Sequence, residues 1–253
     1  EKGLKVLLVA SESAPFVKSG GLGDVVGSLP KALQKKNVDV RVVIPRHRVI
    51  KNETMYGVEL LGEFDVYLQW RAKVLVKPGE VPVYFIENDY YFSRGALYGF
   101  DDDNERFAFF GKAVLDMLAM LDFYPDVIHC NDWQTGPVCM YLKEMYNKVT
   151  EYSKIKTLFT IHNLQYQGRF SLDTVELLGV SDWAYANMEF CNTVCYMKMG
   201  LVYADYISTV SGTYAQEIQT PEYGYGMDGI LRSRSDCLCG ILNGIDFTAS
   251  NPE

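Results

Sequence analysis

Residues 4–10, apolar but for Lys5, form a short continuous run that empties into a polar, glycine-rich loop, and a second strand follows at 38–44. An apolar run without alternation marks a strand covered on both faces, as in a parallel sheet. Between the two, Leu22, Val25, Val26, Leu29, Ala32 and Leu33 recur at three- and four-residue spacing. That spacing predicts a helix over 22–36, kinked at Pro30. Strand, helix, strand commits the chain to α/β architecture.

The pattern repeats downstream. Residues 126–130, 156–161 and 206–210 read as short buried strands, and helical stretches near 104–121, 135–147, 191–204 and 212–219 lie between or after them. We therefore expect a doubly wound, mainly parallel, Rossmann-like sheet. Three β-rich stretches, 64–70, 72–76 and 81–86, are punctuated by Lys77-Pro78-Gly79 and predict a small β-hairpin insertion. With no internal repeat and no Pro/Gly/Ser linker, residues 1–253 are expected to form one domain.

In a parallel sheet the loops after successive strands share one edge. Here that edge receives Lys18-Ser19-Gly20-Gly21-Leu22-Gly23-Asp24, Asn131-Asp132-Trp133 and His162-Asn163. Ligands of open α/β sheets bind outside the carboxyl ends of the strands, so the coincidence marks a candidate site. Gly20 and Gly21 allow a ligand close to backbone N–H groups at a helix start. The spacing Gly21-x-Gly23-x-x-x-Gly27 is one residue too long for the dinucleotide fingerprint, and no G-x-x-x-x-G-K-[ST] string occurs. Taken alone, the loop is also compatible with a tight strand-to-helix connection, and Asp132 with a helix N-cap. Of the three histidines, only His162 ends a strand at this edge; His129 is expected buried and hydrogen-bonded, and His47, among Arg46, Arg48 and Lys51, in a solvated basic loop.

Composition narrows the partners. A net charge of -8 argues against nucleic acid and anionic membrane, both of which need a basic face. No apolar run approaches the ~20 residues of a membrane span. Six cysteines show no paired C-x-x-C spacing for zinc, and Cys191 and Cys195, four apart in a helical pattern, read as reduced thiols. A reducing compartment follows, cytoplasmic, or plastid if the source is a plant or alga. The chain opens at Glu1 with neither an initiator Met nor a signal-like stretch, as expected of a cropped or processed start.

Residues 18–25, Lys18-Ser19-Gly20-Gly21-Leu22-Gly23-Asp24-Val25, resemble the K-[TS]-G-G-L-G-D-V signature of bacterial glycogen synthases and plant starch synthases, the ADP-glucose enzymes with the two-domain GT-B fold. His129-Cys130-Asn131-Asp132-Trp133, residues 160–168 (Thr160 to Gly168), residues 210–215 (Val210 to Ala215) and Asn243-Gly244-Ile245-Asp246 resemble further family blocks in the same order. The resemblance implies the N-terminal half of a GT-B fold, acting in glucose transfer from ADP-glucose to the non-reducing end of an α-1,4-glucan such as glycogen, starch or a maltooligosaccharide. It implies no cofactor and no metal. By the same carry-over, Asp132 and His162 are the catalytic pair, and Lys18, Gly20, Gly21, Asp24, Asn163 and Asn243 face the donor. Glu12, Tyr91 and Trp133 would line the acceptor path. Where many bacterial members carry histidine this chain has Gln134, so no proton-transfer role passes to that position. The family's Arg, Lys and Glu of the following nucleotide-binding domain have no counterpart here, so that domain is expected to be absent from this chain and the isolated chain nearly inactive. A GT-B transferase with another sugar donor, or a glucan-binding module suggested by the 18 tyrosines, stays open at this point.

Overall fold

The computed structural model describes residues 3–66 and 70–244. Twelve strands run in chain order: β1 (Lys5–Val9), β2 (Asp39–Pro45), β3 (Glu59–Asp65), β4 (Arg71–Lys77), β5 (Val83–Glu87), β6 (Val127–Asn131), β7 (Lys156–Ile161), β8 (Arg169–Phe170), β9 (Glu189–Phe190), β10 (Thr193–Cys195), β11 (Tyr206–Thr209) and β12 (Leu238–Gly240). Nine of them form one sheet in the order β12-β11-β7-β6-β1-β2-β5-β4-β3. From β12 to β5 every pairing is parallel; β4 and β3 continue the edge antiparallel.

Both faces are covered, as the largely apolar runs require. Along β1 the side chains divide by parity: Leu7 and Val9 join the larger core, while Val6 and Leu8 join the smaller one with Leu22 and Val26 of the helix Gly21–Gln34. The larger core is closed by the helices Asp103–Leu121, Gly136–Glu144 and Tyr196–Tyr203. Two glycines set the approach of the last two helices. A Cβ at Gly136 would lie 1.9 Å from the Tyr196 carbonyl oxygen, and one at Gly200 2.3 Å from the Phe159 ring. Only the absent side chain permits that contact.

The expected hairpin is real but is the sheet's own edge: β3 and β4 pair antiparallel and hand over to β5, with Lys77 to Gly79 in the turn before it. The predicted helix over 191–204 is borne out over Tyr196–Tyr203 and corrected in its first turn. Residues 193–195 are a strand, and Cys191 and Asn192 carry φ of 48° and 62° in the turn joining β9 to β10. Two successive positive φ values match a type I′ hairpin turn, which no helix accommodates. Strands β8, β10 and β9 form a second, antiparallel sheet too short to leave a periodic signal. His47 is also corrected. It is fully buried, its Nε2 lies 2.9 Å from the Ser11 carbonyl, and its ring meets Phe92 edge-on. Burial lowers its pKa to about 4.

Candidate functional site

Strand order decides where the site sits. From β1 the chain builds outward through β2 to one side, then returns to place β6 on β1's other flank and grows through β7, β11 and β12. The reversal falls between β1 and β6, and the carboxyl ends of strands at such a reversal are where open α/β sheets form a ligand crevice. The loop after β1 is the glycine loop; the loop after β6 begins with Asp132.

Within residues 18–27 the glycines divide into two kinds. At Gly23 a Cβ would meet the Lys18 Cβ at 2.5 Å, and at Gly27 the Ala14 carbonyl oxygen at 2.8 Å, so these two are required by packing. Gly20 and Gly21 would meet nothing within 4 Å, and neither has a positive φ. Nothing in the fold demands glycine at those two positions, which leaves close approach of a ligand to the first turn of Gly21–Gln34 as the physical use of the bare backbone. Lys18 rests its Nζ 2.8 Å from Asp24 Oδ1, both side chains more than half exposed.

Glu12 holds this loop from beneath. Its carboxylate accepts from the Ser19 N–H, from Ser19 Oγ at 2.9 Å and from the Tyr98 hydroxyl at 3.0 Å. At 3% exposure it offers a glucan no surface. Tyr98 comes from a loop anchored by the fully buried Arg106. That guanidinium donates to the Tyr91 carbonyl at 2.7 Å, the Leu97 carbonyl at 3.0 Å and the Asp103 carboxylate at 2.8 Å.

Opposite, β6 ends in Asn131 and Asp132. The Asp132 N–H donates to the Thr160 carbonyl, extending the β6–β7 ladder by one residue. Its backbone then turns to φ 59°, ψ -178°, a conformation close to glycine-only. The turn does not serve to cap the next helix, since Asp132 makes no side-chain cap bond there. Its Oδ1 instead accepts the His162 N–H at 2.7 Å. Burial raises the Asp132 carboxyl to about 7, against the backbone N–H bonds from His162 and Asn163, and with Glu12 adding repulsion. His162 Nε2 lies 2.9 Å from Asn131 Oδ1, and burial lowers the imidazole pKa to about 4, so it is neutral at pH 7.

The structure thus brings Lys18, Gly20, Gly21, Asp24, Asp132, His162 and the exposed Asn163 to the strand ends around the crevice. Asn243 follows β12 and is exposed, while Ile245 and Asp246 of the same block lie outside the described residues. The acceptor residues are corrected. Tyr91 is fully buried against Trp70 and Phe109, and it is its neighbour Tyr90 that is exposed. Trp133 is nine-tenths buried against Phe107 and Phe170, and lies directly under Gly168, whose Cβ would fall 2.3 Å from the indole. Gln134 is buried as well. The aromatic faces open to solvent near these loops are Tyr166 and Tyr225, on segments joined by the Gln167 side chain, which donates to the Tyr225 carbonyl at 3.1 Å. Asn131, expected in the polar cluster just past the strand, is instead its last residue. Among the described residues no group of three or more His, Cys, Asp or Glu could hold a metal ion, and no helix is long and apolar enough to cross a membrane.

A doubly wound sheet with an open glycine loop facing a buried carboxylate and imidazole across its switch point is one lobe of a GT-B glycosyltransferase. The family described as "Starch synthase catalytic domain" matches residues 5–233, and the chain belongs to it. Glycogen synthases from Moorella thermoacetica and Clostridium beijerinckii are 50% and 49% identical to it over 99% of the chain, which covers 52% and 54% of their lengths. The chain therefore spans about half the length of the curated relatives it matches. The catalytic domain of Starch Synthase IV from Arabidopsis thaliana, solved bound to ADP and acarbose, superposes with a TM-score of 0.89 at 33% identity, over 99% of this chain and 53% of that one. Sucrose-phosphate synthase from Thermosynechococcus elongatus shares the fold, with a TM-score of 0.55 at 15% identity over 99% of this chain and 50% of its own.

Proposed function

We propose that this chain is the acceptor-side domain of a retaining glucosyltransferase that moves glucose from ADP-glucose to the non-reducing end of an α-1,4-glucan. The observation that carries the reading is the pair Gly20 and Gly21, bare without structural need, across the switch point from Asp132 and His162. In the transfer, the bond from the sugar's anomeric carbon to the diphosphate breaks. A bond to the acceptor's 4-hydroxyl oxygen forms, and the hydroxyl proton leaves with the diphosphate. Negative charge grows on the leaving group while the sugar becomes oxocarbenium-like, so the site needs anion stabilisers beside groups that orient hydroxyls. Lys18 and the N–H groups at Gly20 and Gly21 suit the first task, with Asp24, Asn163 and Asn243 toward the nucleotide sugar. Asp132 and His162 suit the second.

Glu12 and Trp133 act from below, by holding the loops that carry the contacts. Tyr166 and Tyr225 replace Tyr91 and Trp133 as the aromatic faces offered to a glucan. The one-domain reading of residues 1–253 belongs to the same proposal, with the second half of the relatives' length supplying the rest of the active site. ADP release in the presence of glycogen, measured for this chain and for a protein that joins it to that second half, tests the reading. The longer protein should turn over and the chain alone should not. Equal turnover would overturn the two-lobe requirement, and a strong preference for UDP-glucose would overturn the donor.

A further inference from the structure

We propose that Asn131 is a positioning residue that fixes the tautomer of His162, protonated at Nε2 and bare at Nδ1, so that Nδ1 accepts a hydrogen bond from a hydroxyl of the transferred sugar. The use of that lone pair rests on the reading that His162 faces the sugar; the tautomer itself does not.

The amide of Asn131 has only one satisfactory orientation. It is buried at the end of β6, and its Nδ2 donates to the Val9 carbonyl at 3.1 Å and the His129 carbonyl at 3.2 Å. Neither partner can donate in return, so rotating the amide by half a turn would set Oδ1 against two carbonyl oxygens. Oδ1 is therefore committed to the His162 side, where Nε2 stands 2.9 Å away. A carbonyl oxygen only accepts, so Nε2 carries the hydrogen. A neutral imidazole has one N–H, which leaves Nδ1 with its lone pair. Nδ1 has no hydrogen-bond partner among the described residues, and it is not one of the buried unpartnered side-chain atoms, so it reaches the surface of the crevice. Sequence information thus passes from two main-chain carbonyls of β1 and β6, through one side-chain amide, to the hydrogen-bonding sense of the imidazole.

Long-range proton–nitrogen spectra of the uniformly 15N-labelled chain read the tautomer directly. Only three histidines contribute, and His162→Gln identifies the signals of interest. The unmodified chain should show His162 with a protonated Nε2 and a bare Nδ1; the opposite tautomer would overturn the proposal without any variant. Asn131→Ala should move the tautomer ratio by roughly 2- to 13-fold, the loss of one net hydrogen bond. An unchanged ratio in Asn131→Ala, with the His47 and His129 signals in place as controls for folding, would also overturn it. In the longer enzyme, Asn131→Ala should lower kcat/KM for the donor about tenfold. A shifted tautomer with undiminished turnover would leave Asn131 as the positioning residue and refute contact between His162 and the sugar.

Discussion

After β1 the chain leaves Lys18, Gly20 and Gly21 at the surface: the Lys18 side chain meets Asp24 in an exposed ion pair, and the backbone is held by Ser19 on Glu12 and by the Gly23 N–H on the Gly20 carbonyl. After β6 and β7 it does the reverse. Asp132 and His162 are tied to one another's strands, to Asn131 and to the ladder itself, and both titrate away from their ordinary ranges because they are shielded from water. The difference matches what each wall is proposed to hold. A diphosphate is multiply charged and flexible, and a mobile lysine beside open N–H groups can follow it. A sugar ring approaching an oxocarbenium state gains most from dipoles that need not reorganise during the reaction.

The sharpest break of this comparison is Asp132→Asn. With a carboxyl near 7 folded and about 3.9 unfolded, the folded state holds the proton more tightly, so ionisation costs stability as pH rises from about 4 to about 7 and costs nothing below. The variant cannot ionise. It should gain on the parent across that window, by on the order of 4 kcal/mol above pH 7 and by nearly nothing at pH 4. His47, His129 and His162, held neutral by burial, have the opposite sign. They lose stability as pH falls from about 6.5 toward their folded values, but they are common to both proteins and cancel in the difference. Urea unfolding at the two pH values checks the gap, and a gap independent of pH would place the charge of Asp132 in solvent. The same variant in the longer enzyme should lose about 10²- to 10³-fold in turnover, the scale of removing one preorganised group.

Smaller effects sharpen the open wall. Gly23→Ala should destabilise by about 1–3 kcal/mol through its clash with Lys18, whereas Gly21→Ala should be neutral or gain up to about 1 kcal/mol while weakening binding of ADP-glucose. Thermal melts with and without the nucleotide sugar separate the two. Glu12→Gln should cost about 1–2 kcal/mol by weakening the charge-assisted bonds to Ser19. Lys18→Ala comes last. Its stability should change by no more than about 0.5 kcal/mol, because both partners are exposed, and its effect should appear only in donor affinity measured by calorimetry.

What the sequence made legible follows from the same contrast between local and long-range causes. The strands β1, β6 and β7 announce themselves because both of their faces are buried, and Asp132 and His162 are found by standing where those strands end. Their hydrogen bonds are not. Asn131 stands in the polar cluster at the same edge, but what its amide does is set only when β1 is laid beside β6 and offers it the Val9 carbonyl. His47, flanked by Arg46 and Arg48, looks solvated, yet its environment is set by Ser11 and Phe92, remote in sequence. Tyr90 and Tyr91 are indistinguishable as neighbours, and only the short helix Asp89–Phe92 turns one outward and the other into the core. Cys191 and Cys195 fit a helical spacing that a two-residue turn at positive φ overrides.

Arg106 gives the molecule an unusual genetics. It stands in the helix Asp103–Leu121, reaches no surface, and governs the glycine loop only at third hand, through the loop that carries Tyr98 and then through Glu12. A screen for loss of activity would score substitutions there beside those at Lys18 or Asp132, although the guanidinium meets no substrate. Suppressors would then map to the loop over residues 91–103 rather than to the crevice, and that pattern would tell a structural lesion from a chemical one.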